Sequence, residues 1–193
     1  MLLERVRRAL LAEPPVGQRV VEHADLAETG TPAAVLMAVV LRESPTLLLT
    51  RRTSHLRDHP GQISLPGGRI EDSDPSPTFA ALREAEEEVG LKPDLAEVIG
   101  YLPRYVTGTG FEVTPVVALV RPPLDLKGDP FEVAEIFEVP LAFLLDESNH
   151  QRMAIHHHGR RRSFYSMPYG DYFIWGATAG MIRSLFDRLD TIA

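Results

Sequence analysis

The 193-residue chain contains no cysteine. That absence excludes disulfide staples and thiolate metal sites, and it fits a reducing compartment. Lysine is nearly missing as well, since 18 of the 20 basic residues are arginine. No run of about 18 apolar residues exists, so no membrane-spanning helix is expected. The start, MLLERVRRALLAEPP, carries a charge inside every window of signal-peptide length and reads as an amphipathic helix. Acidic residues outnumber basic ones by 27 to 20, for a formal net charge of −7. A balance of that sign argues against a general nucleic-acid binder. A 44% hydrophobic content can fill one core over residues 1–193. A single cytoplasmic domain with no membrane partner is expected, and the oligomeric state is left open, a homo-oligomer included.

Apolar periodicity and turn residues divide the chain further. Residues 2–12 read as a helix with Leu2, Leu3, Val6, Ala9 and Leu10 on its apolar side. Residues 13–32 should be largely irregular. Ala33–Val40, Thr46–Thr50 and a short piece near Ile63–Leu65 have strand character, the last leading into a Gly67-Gly68 turn. Glu97–Tyr105 and Glu112–Val120 read as two more strands joined at Gly108-Thr109-Gly110, and Leu141–Leu145 as a short helix. Arg152–His157 and Arg161–Tyr165 suggest a hairpin around His158-Gly159. Residues 177–189 form an amphipathic final helix, with Met181, Ile182, Leu185 and Leu189 inward. Strand-rich segments broken by a few helices suggest an α/β fold with a mixed sheet covered on both faces.

The stretch GGRIEDSDPSPTFAALREAEEEVGL, residues 67–91, carries the chemistry. Ser76 can cap a helix over 77–89, Pro77 suits its first turn, and Gly90 stands where a left-handed C-terminal cap belongs. At about 100° per residue, Glu88 lies roughly 40° to one side of Glu84 and Glu87 roughly 60° to the other. The face holding Ala81, Leu82, Ala85 and Val89 adjoins them, while Glu86 points to solvent. Like charges at these spacings oppose the helix by about 0.2–0.5 kcal/mol per pair, and the helix dipole disfavours acids in the last turns. A solvated acidic helix is one reading. The preceding double glycine favours another, a divalent cation, because no Cβ hinders close approach of backbone groups. Oxygen ligands alone suit Mg²⁺ or Mn²⁺ better than zinc. Upstream, Arg51, Arg52, His55 and Arg57 make a local basic patch in an acidic chain, suited to phosphate.

Residues 68–91 resemble the signature of the Nudix hydrolases, G-x5-E-x7-R-E-U-x-E-E-x-G-U with U aliphatic. Arg83, Glu84, Ala85, Glu87, Glu88, Gly90 and Leu91 match its second half. The first half departs, with Asp74 in place of Glu and eight residues instead of seven before Arg83. Residues 48–68, LLTRRTSHLRDHPGQISLPGG, are similar to the motif of the coenzyme A pyrophosphatase branch. Leu48, Leu49, Thr50, Arg52, Arg57, Gly61, Pro66, Gly67 and Gly68 fall in register, with Thr53 for Ser and Leu65 for Phe.

The resemblance implies a Nudix α/β/α sandwich and cleavage of coenzyme A, with acyl or oxidised forms included, to 3′,5′-ADP and 4′-phosphopantetheine. It implies Mg²⁺ or Mn²⁺ on Glu84, Glu87 and Glu88 with a carbonyl of Gly67 or Gly68. Arg83 would orient a helix carboxylate. The general base would be Glu84 or a late-loop acid, Glu132 before Glu135. Arg51, Arg52, Arg57 and Gly61 would hold substrate, with Arg52 and Arg57 meeting the 3′-phosphate. Rival readings are the same chemistry on ADP-ribose or NADH, and a Nudix-fold sensor without catalysis. His156-His157-His158 is better read as a hairpin tip than a metal site, since neighbouring strand residues face opposite ways. Trp175 is better read as a buried anchor than as a platform for adenine.

Overall fold

A computed structural model describes residues 2–22, 30–56, 59–157 and 160–191. In chain order its elements are α1 (Leu2–Ala9), β1 (Arg19–Val21), β2 (Thr31–Val40), β3 (Thr46–Arg52), β4 (Ile63–Ser64), β5 (Gly67–Arg69) and α2 (Pro77–Val89). There follow β6 (Ala96–Tyr101), β7 (Arg104–Val106), β8 (Phe111–Val120), β9 (Val133–Pro140) and α3 (Leu141–Leu144). The last elements are β10 (Gln151–His157), β11 (Arg160–Tyr169), β12 (Tyr172–Trp175) and α4 (Gly176–Thr191).

A long parallel pair, β2 and β8, runs in register from Thr31↔Phe111 to Val40↔Val120 and forms the spine of a mixed nine-stranded sheet. Both faces of this pair are buried, which is why β2 reads as a continuous apolar run over Ala33–Val40 and β8 over Pro115–Val120. Ala34, Leu36, Ala38 and Val40 turn toward α2, together with Val116, Ala118 and Val120 of β8. Met37 and Val39 turn the other way, onto a core shared with Val6 of α1 and Ile182 and Leu185 of α4. The architecture is thus the expected α/β arrangement, a mixed sheet covered on both faces. Among the described residues no helix is long and apolar enough to cross a membrane.

β2 and β3 pair only at Val39↔Leu47 and Val40↔Thr46, then diverge. The segment 63–69 enters the gap: β4 pairs with β3, and β5 pairs with β2. The expected Gly67-Gly68 turn is therefore a strand, hydrogen-bonded along Ala33–Val35. The chain passes so close that a Cβ on Gly67 (φ +154°) would fall 2.4 Å from the Ala34 carbonyl oxygen. Three other boundaries move. α1 ends at Ala9, not at residue 12, because Leu11 pairs with Tyr101 through two 2.9 Å backbone hydrogen bonds. The strand expected over 97–105 is split into β6 and β7 around Leu102-Pro103. Glu135, read above as a late-loop acid, stands instead in β9, an antiparallel partner of β3.

A second sheet, β10-β11-β12, pairs Gln151–His157 with Arg160–Ser166 as the hairpin pattern anticipates. Its expected tip, His158-Gly159, lies outside the described residues.

Candidate active site

α2 begins and ends where its sequence says it should. Ser76 Oγ accepts the Phe79 N–H at 3.2 Å, and Pro77 occupies the first turn. At the other end Gly90 adopts φ +70°, its N–H bonds Glu86 O at 2.9 Å, and the Leu91 N–H reaches Ala85 O at 3.3 Å. This is an αL closure, for which glycine is suited because no Cβ opposes the left-handed backbone. Ala80, Ala81, Ala85 and Val89 face the sheet, and their small size brings the helix close to it. Glu88 lies on that inward side, only 7% exposed, with Oε2 accepting the Gly67 N–H at 3.2 Å. Glu86 is exposed, as the helical phase requires.

The loop before β9 is fastened to the end of this helix. Lys127 and Asp129 donate their N–H groups to the free carbonyls of Val89 and Glu88, at 3.0 and 2.9 Å. On its far side Thr53, just after β3, takes the Glu132 carbonyl at 2.9 Å and the Phe131 carbonyl at 2.7 Å. Glu132 is thereby held near enough for its charge to act on both Glu84 and Glu88. Burial pushes the Glu88 carboxyl up to about 8, with Glu84 and Glu132 adding to the rise. Gly67 N–H and Arg52 offset this only in part. Glu84 is also raised, mainly by burial, against the pull of Arg83.

Arg83 organises the rest. Its Nη1 reaches Glu84 Oε1 at 2.9 Å and Glu87 Oε2 at 3.3 Å. Its other edge forks onto Asp74, Nε to Oδ1 at 3.1 Å and Nη2 to Oδ2 at 3.0 Å, and also touches the Arg69 carbonyl. The Asp74 side chain is fully buried. Hydrogen bonding from Arg83, and then from the Glu71 N–H, holds that carboxyl below its usual range. The sequence reading missed this role, although Asp74 stands where the family signature puts an acid.

The donor set fits a hard divalent cation: all its ligands are oxygens, and burial and neighbouring acids disfavour the ionised forms of Glu84 and Glu88. The double glycine also makes room for it, since a Cβ on Gly68 would meet the Glu84 carboxylate at 2.5 Å. Among the described residues no three His, Asp or Glu side chains are already arranged to hold an ion. Arg83 holds Glu84 and Glu87, and Gly67 holds Glu88, each through one carboxylate oxygen.

Of the substrate candidates, Arg52 lines a cleft of about 440 Å³ that reaches Gly67, and its Nε is buried without a hydrogen-bond partner. Arg51 is turned away, ion-paired to Glu135 and 5.9 Å from the Tyr172 ring. Gly61 lies with it in a separate hollow of about 340 Å³. Arg57 lies outside the described residues. Glu135 also accepts from Tyr172 Oη at 2.7 Å, and Glu138 is taken by Arg42 and Thr46, so neither joins the helix acids. Ile174, fully buried, is the anchor of the last strand; Trp175 is half-buried and lines the cleft.

Residues 30–158 match the model of the NUDIX domain. The chain is 42% identical over 185 residues to a protein of Shigella sonnei called "Uncharacterized Nudix hydrolase NudL", covering 96% of this chain and 93% of that one. Its counterpart in Enterobacter sp. is 47% identical over 153 residues, 79% of this chain and 80% of the other. Among solved structures, the MutT protein of Methanosarcina mazei superposes with a TM-score of 0.54 at 20% identity, over 86% of this chain and 98% of its own. The NUDIX domain of Shewanella oneidensis NrtR, complexed with ADP ribose, gives 0.52 at 17% identity, over 86% and 93%. These two likenesses concern the fold. The family match and the relatives spanning nearly the whole chain make this protein a member of the Nudix family, a Nudix hydrolase.

Proposed function

We propose that the protein is a divalent-metal-dependent pyrophosphatase acting on coenzyme A or its thioesters, with release of 3′,5′-ADP and 4′-phosphopantetheine. The observation that supports this most directly is Glu88, which lies within reach of the charges of Glu84, Glu132 and Arg52 and accepts the N–H of Gly67, a residue that lines one cleft with Arg52. The sequence of residues 48–68 supplies the substrate preference. Glu84, Glu87 and Glu88, with a carbonyl of Gly67 or Gly68, are the residues that would hold Mg²⁺ or Mn²⁺. When bound there, such an ion would supply positive charge against the pyrophosphate and lower the pKa of a bound water. Arg83, braced by Asp74, keeps the Glu84 carboxylate in place when the helix acids reorganise. Glu132 acts as the general base, since Glu135 and Glu138 are held by other partners. Arg52, close enough for its charge to reach Glu88, meets the pyrophosphate itself and not the 3′-phosphate. The whole chain, 1–193, works as one unit in the cytoplasm.

Incubation of the purified protein with Mg²⁺ and a panel of coenzyme A, 3′-dephospho-coenzyme A, ADP-ribose and NADH, resolved chromatographically, tests the reading. Coenzyme A should give the highest kcat/KM. Preference for ADP-ribose or NADH would sink the assignment, and no turnover of any would favour a sensor. For Arg52→Ala, a lost charge-assisted contact predicts a fall of about 10- to 150-fold in kcat/KM. It should be equal for coenzyme A and its 3′-dephospho form; a loss confined to coenzyme A would return Arg52 to the 3′-phosphate.

A further inference from the structure

The cleft lined by Gly67 and Arg52 extends well past both of them. One wall is the outer face of β10-β11-β12. The registers Met153↔Phe164, Ile155↔Arg162 and Ser166↔Trp175 place Ile155, Arg162, Phe164 and Trp175 on one side of that sheet. Met167 and Ile174, on the other side, are fully buried in the core shared with α4. Phe164 and Trp175 meet edge to face, their centroids 5.2 Å apart. Arg162 thus brings a guanidinium to an otherwise aromatic and aliphatic wall, and Arg52 brings another from β3. At the rim Glu22, whose carboxylate accepts the Gly108 N–H, offers an acceptor between Thr107 and Thr109.

An aromatic platform, a polar edge and a planar cation distinct from the one nearest the acids form the set that a nucleotide requires. A pantetheine arm, made of methylenes and amides, needs no cation. A volume of about 440 Å³ lies within the range of small-molecule sites. We propose that this cleft is the nucleoside subsite, in which the base lies against Trp175 and Phe164 and Arg162 meets a phosphate carried outside the pyrophosphate. The assignment rests on the coenzyme A reading above and makes Arg162 the residue that selects the 3′-phosphorylated form.

Trp175 is the single tryptophan of the chain, so its emission reports on this wall alone. Metal-free protein is titrated with 3′,5′-ADP, 5′-AMP and 4′-phosphopantetheine while Trp175 fluorescence is followed. 3′,5′-ADP should shift the emission and bind about tenfold or more tighter than 5′-AMP. Arg162→Ala should erase that margin and leave 5′-AMP within about twofold of wild type, and Arg162→Lys should keep part of it. The ratio of two ligands on one variant cancels general damage to the fold. A response to 4′-phosphopantetheine alone would give the cleft to the other half of the substrate. Equal weakening of both nucleotides by Arg162→Ala would remove Arg162 from phosphate selection. Failure of the coenzyme A reading shows instead in the turnover panel, which this binding experiment does not use.

Discussion

Glu88 is an acid buried where its charge is poorly compensated, and two predictions follow from that position. Between pH 4.5, its ordinary value, and about 8, the folded metal-free protein keeps a proton on Glu88 that the unfolded chain has released. Unfolding then sheds a proton, so stability falls as pH rises through this window. The loss is on the order of a few kcal/mol. Urea melts in a chelator at pH 5.5 and pH 8 should show it, and Glu88→Gln should flatten it; an unchanged slope in that variant would place the titration elsewhere. In turnover, Glu84→Gln and Glu88→Gln should each lower kcat by about 10²-fold or more, as for loss of a metal ligand. Glu86→Gln should change little, because Glu86 faces solvent. Comparable losses for all three would mean that the acids do not act through their helical phase.

At the scale of elements, the two glycines of β5 divide the labour between fold and chemistry. A Cβ on Gly67 would strike the backbone of Ala34 and Val35, at 2.4 and 2.6 Å, from a φ that L-residues rarely adopt. Nothing there can step aside. A Cβ on Gly68 would first strike the Glu84 carboxylate, the far end of a flexible side chain. Gly67→Ala should therefore lower the melting temperature markedly. Gly68→Ala should leave it within a few degrees yet depress kcat, by displacing Glu84. Thermal melts alongside steady-state kinetics separate the two; a Gly68→Ala enzyme of normal activity would show that Glu84 does not work from its present position.

For the whole molecule, the acids are a destabilising cluster that the surrounding fold holds together. α2 presents Glu84 and Glu88, the 127–132 loop brings Glu132 to the helix end, and Thr53 ties that loop to β3. A cation bound to the native cluster and not to the unfolded chain must stabilise the protein. At a hundredfold excess over its Kd, Mg²⁺ or Mn²⁺ should raise the melting temperature by roughly 5–10 °C. The doubly substituted Glu84→Gln/Glu88→Gln protein should lose this shift, and a shift of wild-type size there would put the ion at another site.

What the sequence determined by itself is what acts within a turn or two of chain. Ser76, Pro77 and Gly90 bound α2, and the 100° step sorts Glu84, Glu87 and Glu88 from Glu86, because caps and helical phase are local. The unbroken apolar run Ala33–Val40 likewise announces the strand β2. Partners chosen across the fold were not legible. Whether Gly67-Gly68 turns or pairs depends on β2 and β3 diverging enough to admit it, and nothing in the glycines themselves records that gap. In β9, glutamates at 135 and 138 break the two-residue alternation, and the strand exists because β3 offers it an edge. Asp74 and Arg83 carry no mark of their fork, and Arg162 meets Arg52 in one cleft only because a separate sheet stands beside the first. Backbone pairing and charge pairing between distant segments depend on which surfaces meet, and only tertiary structure decides that.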